Sequence, residues 1–360
     1  MITLKITSGG IITAVMGLLA YNVEKTLYRD SDVFSAVSDN PGGVYSGVTG
    51  PGRVSIFDGD RLVFTGWLDG CDNVGGAEIK QIGWAGRDLA GPAAESDADP
   101  KTYNNINLET FLKKRLAPFG FTAFDIENTA PRKRVIVELH EREWDACLRV
   151  AREFGKHLWI EADGTLMAHT IAYATPPSHT FKRMRAGETL LANSIPVLSG
   201  RQGFKFDKLL TDVHLRFGQH KSQVTAQQYA ELIKEGYLRR RWLDVVEVKD
   251  KPSAQRRAKQ VLEESKVGSR DITYDVERKY ISDLKLNQVV SIDDWYLKAS
   301  GNFLVSGFTW KKDVDSGDVA TVTLRPVEDA VATMPKLIKD SQSKKKKKMS
   351  VQERISALGL

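Results

Sequence analysis

The sequence predicts an α+β fold that is mostly β, in which two similar β-barrel or β-sandwich domains flank a small α+β module. Three observations support this class. Short apolar runs broken by Gly, Pro, Asn and Asp fill the first ninety or so residues and return from residue 207 onward. A segment with amphipathic helices, about residues 100 to 175, separates these two regions. The order of strand and turn features in the first β-rich region recurs in the last.

The first β-rich region contains a β-hairpin. Asp58-Gly59 is a strong hairpin turn signal, and the apolar runs 53–57 and 62–67 flank it. A third strand is predicted near residues 77–84, and the Gly- and Pro-rich segment 40–52 predicts a long loop. These elements make up the first predicted domain, residues 1–95.

The middle module, residues 96–180, contains two predicted amphipathic helices. Asn107 is an N-cap candidate for the first helix and Gly120 is its stop signal. Its apolar face consists of Leu108, Phe111, Leu112, Leu116 and Phe119. A strand at 135–139 precedes the second helix, which ends at Gly155. The apolar face of that helix consists of Trp144, Cys147, Leu148 and Ala151.

A second hairpin closes the module, because residues 157–160 and 165–168 bracket a turn at Asp163-Gly164. With a two-residue turn, His157 faces Thr170 and His169 faces Leu158. The two histidines then point to opposite faces of the hairpin, which disfavours a shared metal ion. The sequence has no H-E-x-x-H or C-x-x-C spacing either, so we expect no metal site.

The last β-rich region, residues 181–335, contains two inserted helices. Strict alternation at Val213, Leu215 and Phe217 predicts a strand. Thr225 and Gln228 resemble a capping box, which predicts one helix near 225–236. Pro252 suits the first turn of another helix near 252–266, with Ala254, Ala258, Val261 and Leu262 on its inner face. Strands follow near 272–276, 288–292, 303–311 and 319–324.

The two β-rich regions share a pattern that indicates duplication. Residues 54–56 and 290–292 are both Val-Ser-Ile, and each triplet precedes a strand with a glycine near its end, Gly66 or Gly307. An acidic, Gly-containing turn and a further strand follow in both cases. The sequence therefore predicts a duplicated β-domain with the helical module between the copies.

Composition excludes several classes of protein. With 360 residues, 41% of them hydrophobic and 27% charged, the chain lies in the globular range. Five positive charges of the net +6 belong to one Lys run, so the remainder is nearly neutral and poorly suited to wrapping duplex DNA. Two cysteines are too few for a disulfide framework. The apolar stretch 11–20 is too short for a membrane span, and neither export nor integral membrane contact is predicted.

Catalytic motifs are weak. No G-x-S-x-G, P-loop or G-x-G-x-x-G pattern occurs, so we predict no cofactor and no nucleophile elbow. Glu138, Glu141 and Glu143 form a polar cluster with His140 that is compatible with acid–base chemistry. The structural interpretation is stronger, because Glu138 and His140 alternate with apolar residues on a predicted strand. Glu141 or Glu143 then opens the next helix, where the helix dipole favours negative charge.

Two basic segments are candidate contact sites. The segment Arg239-Arg240-Arg241-Trp242 contains residue types that contact phosphate or stack on a base, but as a predicted helix exit it also complements the negative helix end. Residues 336–360 predict a Lys-rich flexible tail with a short terminal helix that serves as a docking element, although a plain solvated tail is an almost equal alternative. The partner-contact candidates in this tail are Lys344, Lys345, Lys346, Lys347, Lys348, Val351, Ile355 and Leu358.

A set of short motifs in fixed order resembles one protein family. The motifs are YNVEKTL at 21–27, DVFSA at 32–36, FTGWLD at 64–69, IGWAGRDL at 82–89, TFL at 110–112, the helix pattern at 144–155, EADGTL at 161–166, and the helix 253–264 before the strand 271–277. Together they resemble the baseplate hub proteins of contractile phage tails, the Mu-like hub and late control D-type family. Residues 218–242 and the Lys-rich tail match no motif of that family.

The resemblance implies a structural virion protein without an active site. Two tube-like β-domains per chain would give a homotrimer a pseudo-six-fold ring, which joins the six-fold tail tube or its initiator to a three-fold central spike. Further implied partners are the tape measure protein and the baseplate wedge proteins, while cargo DNA passes through without specific binding. The implied location is the tail baseplate of the virion or of a related contractile injection system, assembled in the host cytoplasm.

Two other functions stay open at this stage. One is a tail-associated cell-wall or polysaccharide hydrolase, for which the Glu138, Glu141 and Glu143 cluster would supply the carboxylates. The other is a nucleic-acid-binding adaptor, which would use residues 239–241 and the Lys run and would bind in a salt-dependent way.

Overall fold

The structure is a computed structural model of the chain. It describes residues 2–27, 31–40, 43, 45, 48, 50–75, 80–172, 174–204, 207, 209–217, 222–245, 251–268, 270–313 and 317–327. Within these residues strands predominate over helices, and six strands form a closed barrel beside further sheets. The predicted α+β, mostly β class is confirmed.

Contacts within the chain define two compact units. The first consists of Met1–Ala172, Tyr274–Asn287 and Ser306–Thr323, and the second of Tyr173–Thr273, Gln288–Val305 and Leu324–Leu360. Both units are therefore discontinuous in sequence.

The first unit begins with an antiparallel sheet of seven strands. They are β1 (Ile2–Ser8), β2 (Ile11–Met16), β3 (Leu18–Thr26), β4 (Val33–Asp39), β5 (Arg53–Asp58), β6 (Arg61–Gly75) and β7 (Lys80–Asp88). Their order in the sheet is β2-β1-β5-β6-β7-β4-β3. The predicted hairpin is β5–β6, with Gly59 in the turn at a φ of 57°. Alternate residues of β1 and β7 are buried, as a sheet with one covered face requires.

The α+β module of the first unit has its own core. Its elements are α1 (Ala90–Glu95), β8 (Lys101–Ile106), α2 (Leu108–Leu116), β9 (Phe124–Ile126), β10 (Arg132–Val137), α3 (Glu143–Glu153), β11 (His157–Ile160) and β12 (Leu166–His169). Asn107 caps α2 as predicted, because its side chain accepts a hydrogen bond from the Thr110 amide at 2.9 Å. Gly120 and Gly155 follow the helical segments with φ of 87° and 75°. The predicted apolar faces of both helices lie in this core.

The predicted register of the β11–β12 hairpin is wrong. His157 lies opposite His169 and Leu158 opposite Ala168, so the two histidines share one face. The turn has three residues rather than two, since the Glu161 amide donates to the Thr165 carbonyl and the Gly164 amide donates to the Glu161 carbonyl. Gly164 has a φ of 89°, which a longer, left-handed turn needs. A one-residue change in turn length moved each partner by one position.

The second unit contains a three-stranded sheet with a helix on one face. Its early elements are β13 (Thr180–Lys182), β14 (Ser194–Phe204), β15 (Asp212–Phe217), β16 (Ser222–Gln227), α4 (Ala230–Lys234), β17 (Arg240–Val245) and α5 (Lys251–Gly268). β15 pairs with β16 antiparallel and with β17 parallel. Ala254, Ala258, Val261 and Leu262 of α5 are buried against β15 and β16, as predicted.

The prediction that a helix begins at Thr225 is wrong. Thr225 lies in β16 opposite His214, and α4 comprises only Ala230–Lys234. Val224 and Ala226 alternate with polar residues and are buried, so pairing with β15 overrides the apparent capping box. Gln228, the other half of that box, donates instead to the Leu210 carbonyl at 2.6 Å. Gly236 has a φ of 95° two residues after α4, in agreement with the predicted stop.

The remaining strands close a barrel. They are β18 (Arg270–Glu277), β19 (Val289–Asp294), β20 (Ala299–Asp313) and β21 (Gly317–Pro326). Pairing runs β19-β13-β14-β18-β21-β20 and returns from β20 to β19. β13 pairs parallel with both β14 and β19, and its pairing with β19 joins segments more than 100 residues apart in sequence. None of the described helices is long and apolar enough to cross a membrane.

Candidate functional site

Glu143, one of the predicted carboxylates, forms a buried ion pair. It is the first residue of α3, and Arg115 of α2 donates from Nε to its Oε1 at 2.5 Å and from Nη2 to its Oε2. Both side chains are 6% exposed. A bidentate pair of this kind fixes the two helices, and removal of either partner would leave a buried charge.

Glu141 and Glu138 are also held by local contacts. Arg149 of α3 donates to Glu141 Oε1 at 2.6 Å, and Glu141 Oε2 accepts from the Glu138 amide at 2.9 Å. Burial tends to raise the pKa of Glu141, but these hydrogen bonds outweigh it and the pKa lies below its ordinary value. A general acid needs the opposite shift.

The surrounding turn differs from the prediction. β10 ends at Val137, so Glu138 and His140 do not alternate on a strand, and His140 has a φ of 71° in the following turn. The pairing with β8 stops at Lys101, which leaves residues 138–142 as the connection to α3. The carboxylates of Glu141 and Glu143 and the backbone amide of Glu138 therefore stabilise the entry to α3, and this geometry does not favour the hydrolase hypothesis.

The strand-end sequence Gly86-Arg87-Asp88 builds a buried joint. Asp88 Oδ2 accepts from the Asp32 amide at 2.9 Å and Asp88 Oδ1 from the Ala90 amide at 2.9 Å. Burial, and then the nearby Asp32 carboxylate, raise the pKa of Asp88 well above its ordinary value. Lys25 lies 3.9 Å from Asp32 Oδ2 and donates to the Ile160 carbonyl at 2.9 Å. The joint thus connects β3, β7 and β11.

Arg278 forms a second buried network of ion pairs and hydrogen bonds, which the sequence did not predict. It follows β18, is 7% exposed, and lies 2.9 Å from Asp58 Oδ2 and 3.7 Å from Asp318 Oδ1. It also donates to the Tyr21 hydroxyl. Burial raises the pKa of Tyr21 to about 12. No sequence pattern marks this arginine, because its partners come from three distant strands or turns.

A cavity of about 560 Å³ opens within the first unit. Lys25, Trp159 and Trp310 line it together with Asp125 and His169. His169 Nε2 lies 3.1 Å from Asp125 Oδ1, and the ring centroids of Trp159 and His169 are 5.8 Å apart. Among the described residues no group of three or more His, Cys, Asp or Glu side chains could hold a metal ion.

Two groups of exposed apolar side chains lie close together in sequence, besides others such as Leu139 and Trp242. In the first unit, Ile11, Ile12 and Met16 of β2 are 72%, 68% and 61% exposed. In the second unit, Trp295 and Tyr296 follow β19 and are 49% and 68% exposed. Single exposed apolar residues are common, but a group on one element indicates a contact surface.

The predicted basic segment lies on a strand and not at a helix exit. Arg240 and Trp242 belong to β17, and Arg239 directly precedes it. The Arg240 Nε donates to Asp212 Oδ2 at 2.9 Å, so at least one of these charges has a partner on the neighbouring strand. The tail candidates Lys344, Lys345, Lys346, Lys347, Lys348, Val351, Ile355 and Leu358 lie outside the described residues, and their role stays a prediction.

Comparison with known proteins gives a fold but no family. No protein-family profile and no curated protein matches the sequence. The tail protein from Neisseria meningitidis has a TM-score of 0.73 and 18% identity, covering 90% of this chain and 96% of that chain. The 43 kDa tail protein of prophage MuSo2 from Shewanella oneidensis has a TM-score of 0.71 and 17% identity, covering 91% of this chain and 99% of that chain.

A secretion-system protein is similar at lower score. The c3393 protein of E. coli, a component of the type VI secretion system with structural similarity to T4 bacteriophage tail proteins gp27 and gp5, has a TM-score of 0.55 and 12% identity. It covers 90% of this chain and 76% of that chain. At these identities the likeness establishes a shared fold, and it extends over nine-tenths of the chain in all three cases.

Proposed function

We propose that this chain is a structural subunit of a contractile tail or a tail-derived injection device, and within it the baseplate hub. The observation that carries the proposal is the end-to-end match to two tail proteins, which leaves less than a tenth of either protein unmatched. A shared fold alone does not give a function. The order of hub-family motifs along this sequence supplies the second, independent support.

The hub would be a homotrimer that joins two symmetries. Each chain has two antiparallel strand triplets, β5–β6–β7 and β19–β20–β21, and the middle strand of each spans 15 residues. Three chains, each with two such strand triplets, would offer six similar surfaces to a six-fold tube. The same trimer would offer three equivalent surfaces to a three-fold spike. We keep the division into domains 1–95, 96–180 and 181–335 with a tail at 336–360 as part of this proposal.

The partners follow from that position. The central spike would bind one end of the ring, and the tail tube protein or tube initiator the other. The tape measure protein and wedge proteins are further candidates, and cargo DNA would pass through. The type VI component among the similar structures supports a place in an injection device. The protein would act in the tail baseplate after assembly in the host cytoplasm, and it would not be an enzyme.

The mass and symmetry of the purified protein test this proposal. We expect light scattering to give a particle near three times 40.1 kDa, alone or after addition of the candidate spike, and negative-stain images to show a three-fold ring with a central hole. A chain that stays monomeric with the spike present would contradict the hub. Cleavage of peptidoglycan by the purified protein, lost on Glu141→Gln, would favour the hydrolase instead.

A further inference from the structure

The open face of the β15–β16–β17 sheet has an unusual set of side chains. α5 covers the opposite face, where Val213 and Leu215 are fully buried. Because neighbours on a strand alternate between faces, the residues between them point away from α5. In register, His214 lies beside Trp242 and Arg216 beside Asp244, while Asp212 lies beside Arg240. We call His214, Arg216, Arg240 and Trp242 the aromatic–basic face.

Trp242, on the edge strand β17, forms a fixed platform on this face. Its ring stacks on His214 with centroids 4.4 Å apart and planes 21° apart, yet its side chain remains 50% exposed. His214 is held from both sides: Nε2 lies 3.1 Å from Asp212 Oδ2, and Nδ1 lies 3.0 Å from the Gln223 amide nitrogen. The indole is therefore oriented before any ligand arrives, which lowers the entropic cost of stacking.

Positive charge surrounds the platform. The Arg216 guanidinium lies 5.0 Å from the Trp242 ring centroid, within cation–π range. Arg216 and Arg240 lie on this face and are exposed, whereas Arg241 lies beside Val213 and therefore points to the α5 side. Asp212 is fully buried and already binds Arg240 and His214. Asp244 is an exposed acidic residue in the same register as Arg216. The exposed part of the face thus carries more arginine than carboxylate.

We infer that the aromatic–basic face binds single-stranded nucleic acid, with a base on Trp242 and phosphates on the flanking arginines. Proteins that bind single strands combine a positive track with aromatic side chains on which bases stack. An acidic peptide would be satisfied by the arginines alone and would have no use for a pre-oriented indole. The inference uses only contacts within the second unit, so it stands or fails separately from the proposed hub.

A binding assay on the full-length protein tests this inference. The probe is a fluorescein-labelled oligo(dT) of 12 nucleotides, followed by anisotropy over a salt series. We expect Trp242→Ala to weaken binding roughly 10-fold through loss of one stacked base, and Trp242→Phe to restore most of it. We expect Arg216→Ala to flatten the slope of log K against log salt by about 0.7, the contribution of one phosphate contact.

A matched control exists in the same unit. Arg185 lies 5.5 Å from the Trp295 ring centroid, and Trp295 is 49% exposed, so this pair has similar chemistry on another element. The Arg185→Ala/Trp295→Ala variant should keep wild-type affinity. The Lys run is present in all these proteins, so its contribution cancels in the comparison. Circular dichroism confirms that each variant is folded.

Three results would overturn the inference. The first is no oligo(dT) binding by the wild-type protein at low salt. The second is equal loss of affinity in the Trp242→Ala and the Arg185→Ala/Trp295→Ala proteins, which would indicate non-specific attraction. The third is displacement of the oligonucleotide by poly-glutamate of the same charge with equal affinity in wild type and Trp242→Ala, which would identify an acidic-peptide site.

Discussion

His157 shows how one partly buried side chain couples stability to pH. It lies in β11 opposite His169, and His169 Nε2 is 3.1 Å from Asp125 Oδ1. Burial, and then repulsion from Arg152, lower the pKa of His157 to about 4 from its ordinary 6.5. The folded protein therefore keeps this imidazole neutral at pH values where the unfolded chain protonates it.

This pKa difference predicts a loss of stability in acid. Between pH 6.5 and about 4 the unfolded state binds a proton that the folded state does not, so the free energy of unfolding falls as the pH falls. The loss reaches at most about 3 kcal/mol and then levels off, because both states are protonated below the folded pKa. Urea denaturation at pH 7, 6, 5 and 4 measures it.

Substitution of the histidine isolates its contribution. The His157→Gln protein should lack the part of the slope between pH 6.5 and 4 that the wild type shows. His140→Asn is the control, because His140 is exposed and asparagine tolerates its φ of 71°. Identical pH profiles for wild type and His157→Gln would show that another group causes the acid sensitivity.

Two glycines explain how closely the strands of the first sheet pack. A Cβ on Gly86 of β7 would lie 2.1 Å from the Trp67 carbonyl oxygen and 2.5 Å from the Phe34 ring. A Cβ on Gly66 of β6 would lie 2.1 Å from the Arg87 carbonyl oxygen. Backbone atoms cannot move aside as a flexible side chain can, so these positions admit only glycine in this sheet.

We expect Gly86→Ala to lower the free energy of unfolding by about 1–3 kcal/mol, because the added methyl group forces β6 and β7 apart. Gly70→Ala is the matched control: Gly70 also lies in β6, and a Cβ there would meet nothing within 4 Å. Its effect should stay within about 0.5 kcal/mol. Urea denaturation of both proteins gives the comparison, and equal midpoints would contradict the packing argument.

The sequence predicted elements whose signals are local. The Asn107 cap, the Asp58-Gly59 turn and the buried face of α5 depend on neighbours within a few residues, and all three are present. It failed where a distant partner decides. Thr225 joined a strand because β15 lies beside it. The β11–β12 register was wrong for a local reason, since the turn has one residue more than Asp163-Gly164 suggests.

Non-local pairings and charge networks had no sequence signal. Parallel strands such as β13 and β19 carry no turn between them that would reveal the pairing. Arg278 gathers Asp58, Asp318 and Tyr21 from separate segments, and none of these has a spacing that points to the others. The aromatic–basic face was visible only in part: Arg240 and Trp242 belong to the basic segment that the sequence marked, whereas His214 and Arg216 join them through strand register.

For the whole molecule, β2 is the element that most needs a partner. Among the described strands it pairs only with β1, so it stands at one end of the strand order β2-β1-β5-β6-β7-β4-β3. Ile11, Ile12 and Met16 on this strand are exposed while Val15 is fully buried. An exposed apolar edge strand promotes aggregation of a monomer, and native proteins cover such edges or protect them with charge. In the proposed trimer a second copy of the chain would cover it.

The exposed apolar edge of β2 is the surface that we expect to join the copies in the proposed ring. The triple variant Ile11→Lys/Ile12→Lys/Met16→Lys should keep the stability of the wild type within about 0.5 kcal/mol per site, because all three side chains are exposed. It should nevertheless be monomeric by light scattering, since three charges cannot be buried at an apolar contact without partners. Leu139→Lys, at a position 66% exposed in the same unit, is the control and should assemble as the wild type does. A triple variant that still assembles would place the contact between copies on another surface, and a stable wild-type monomer would remove the reason for a covered edge.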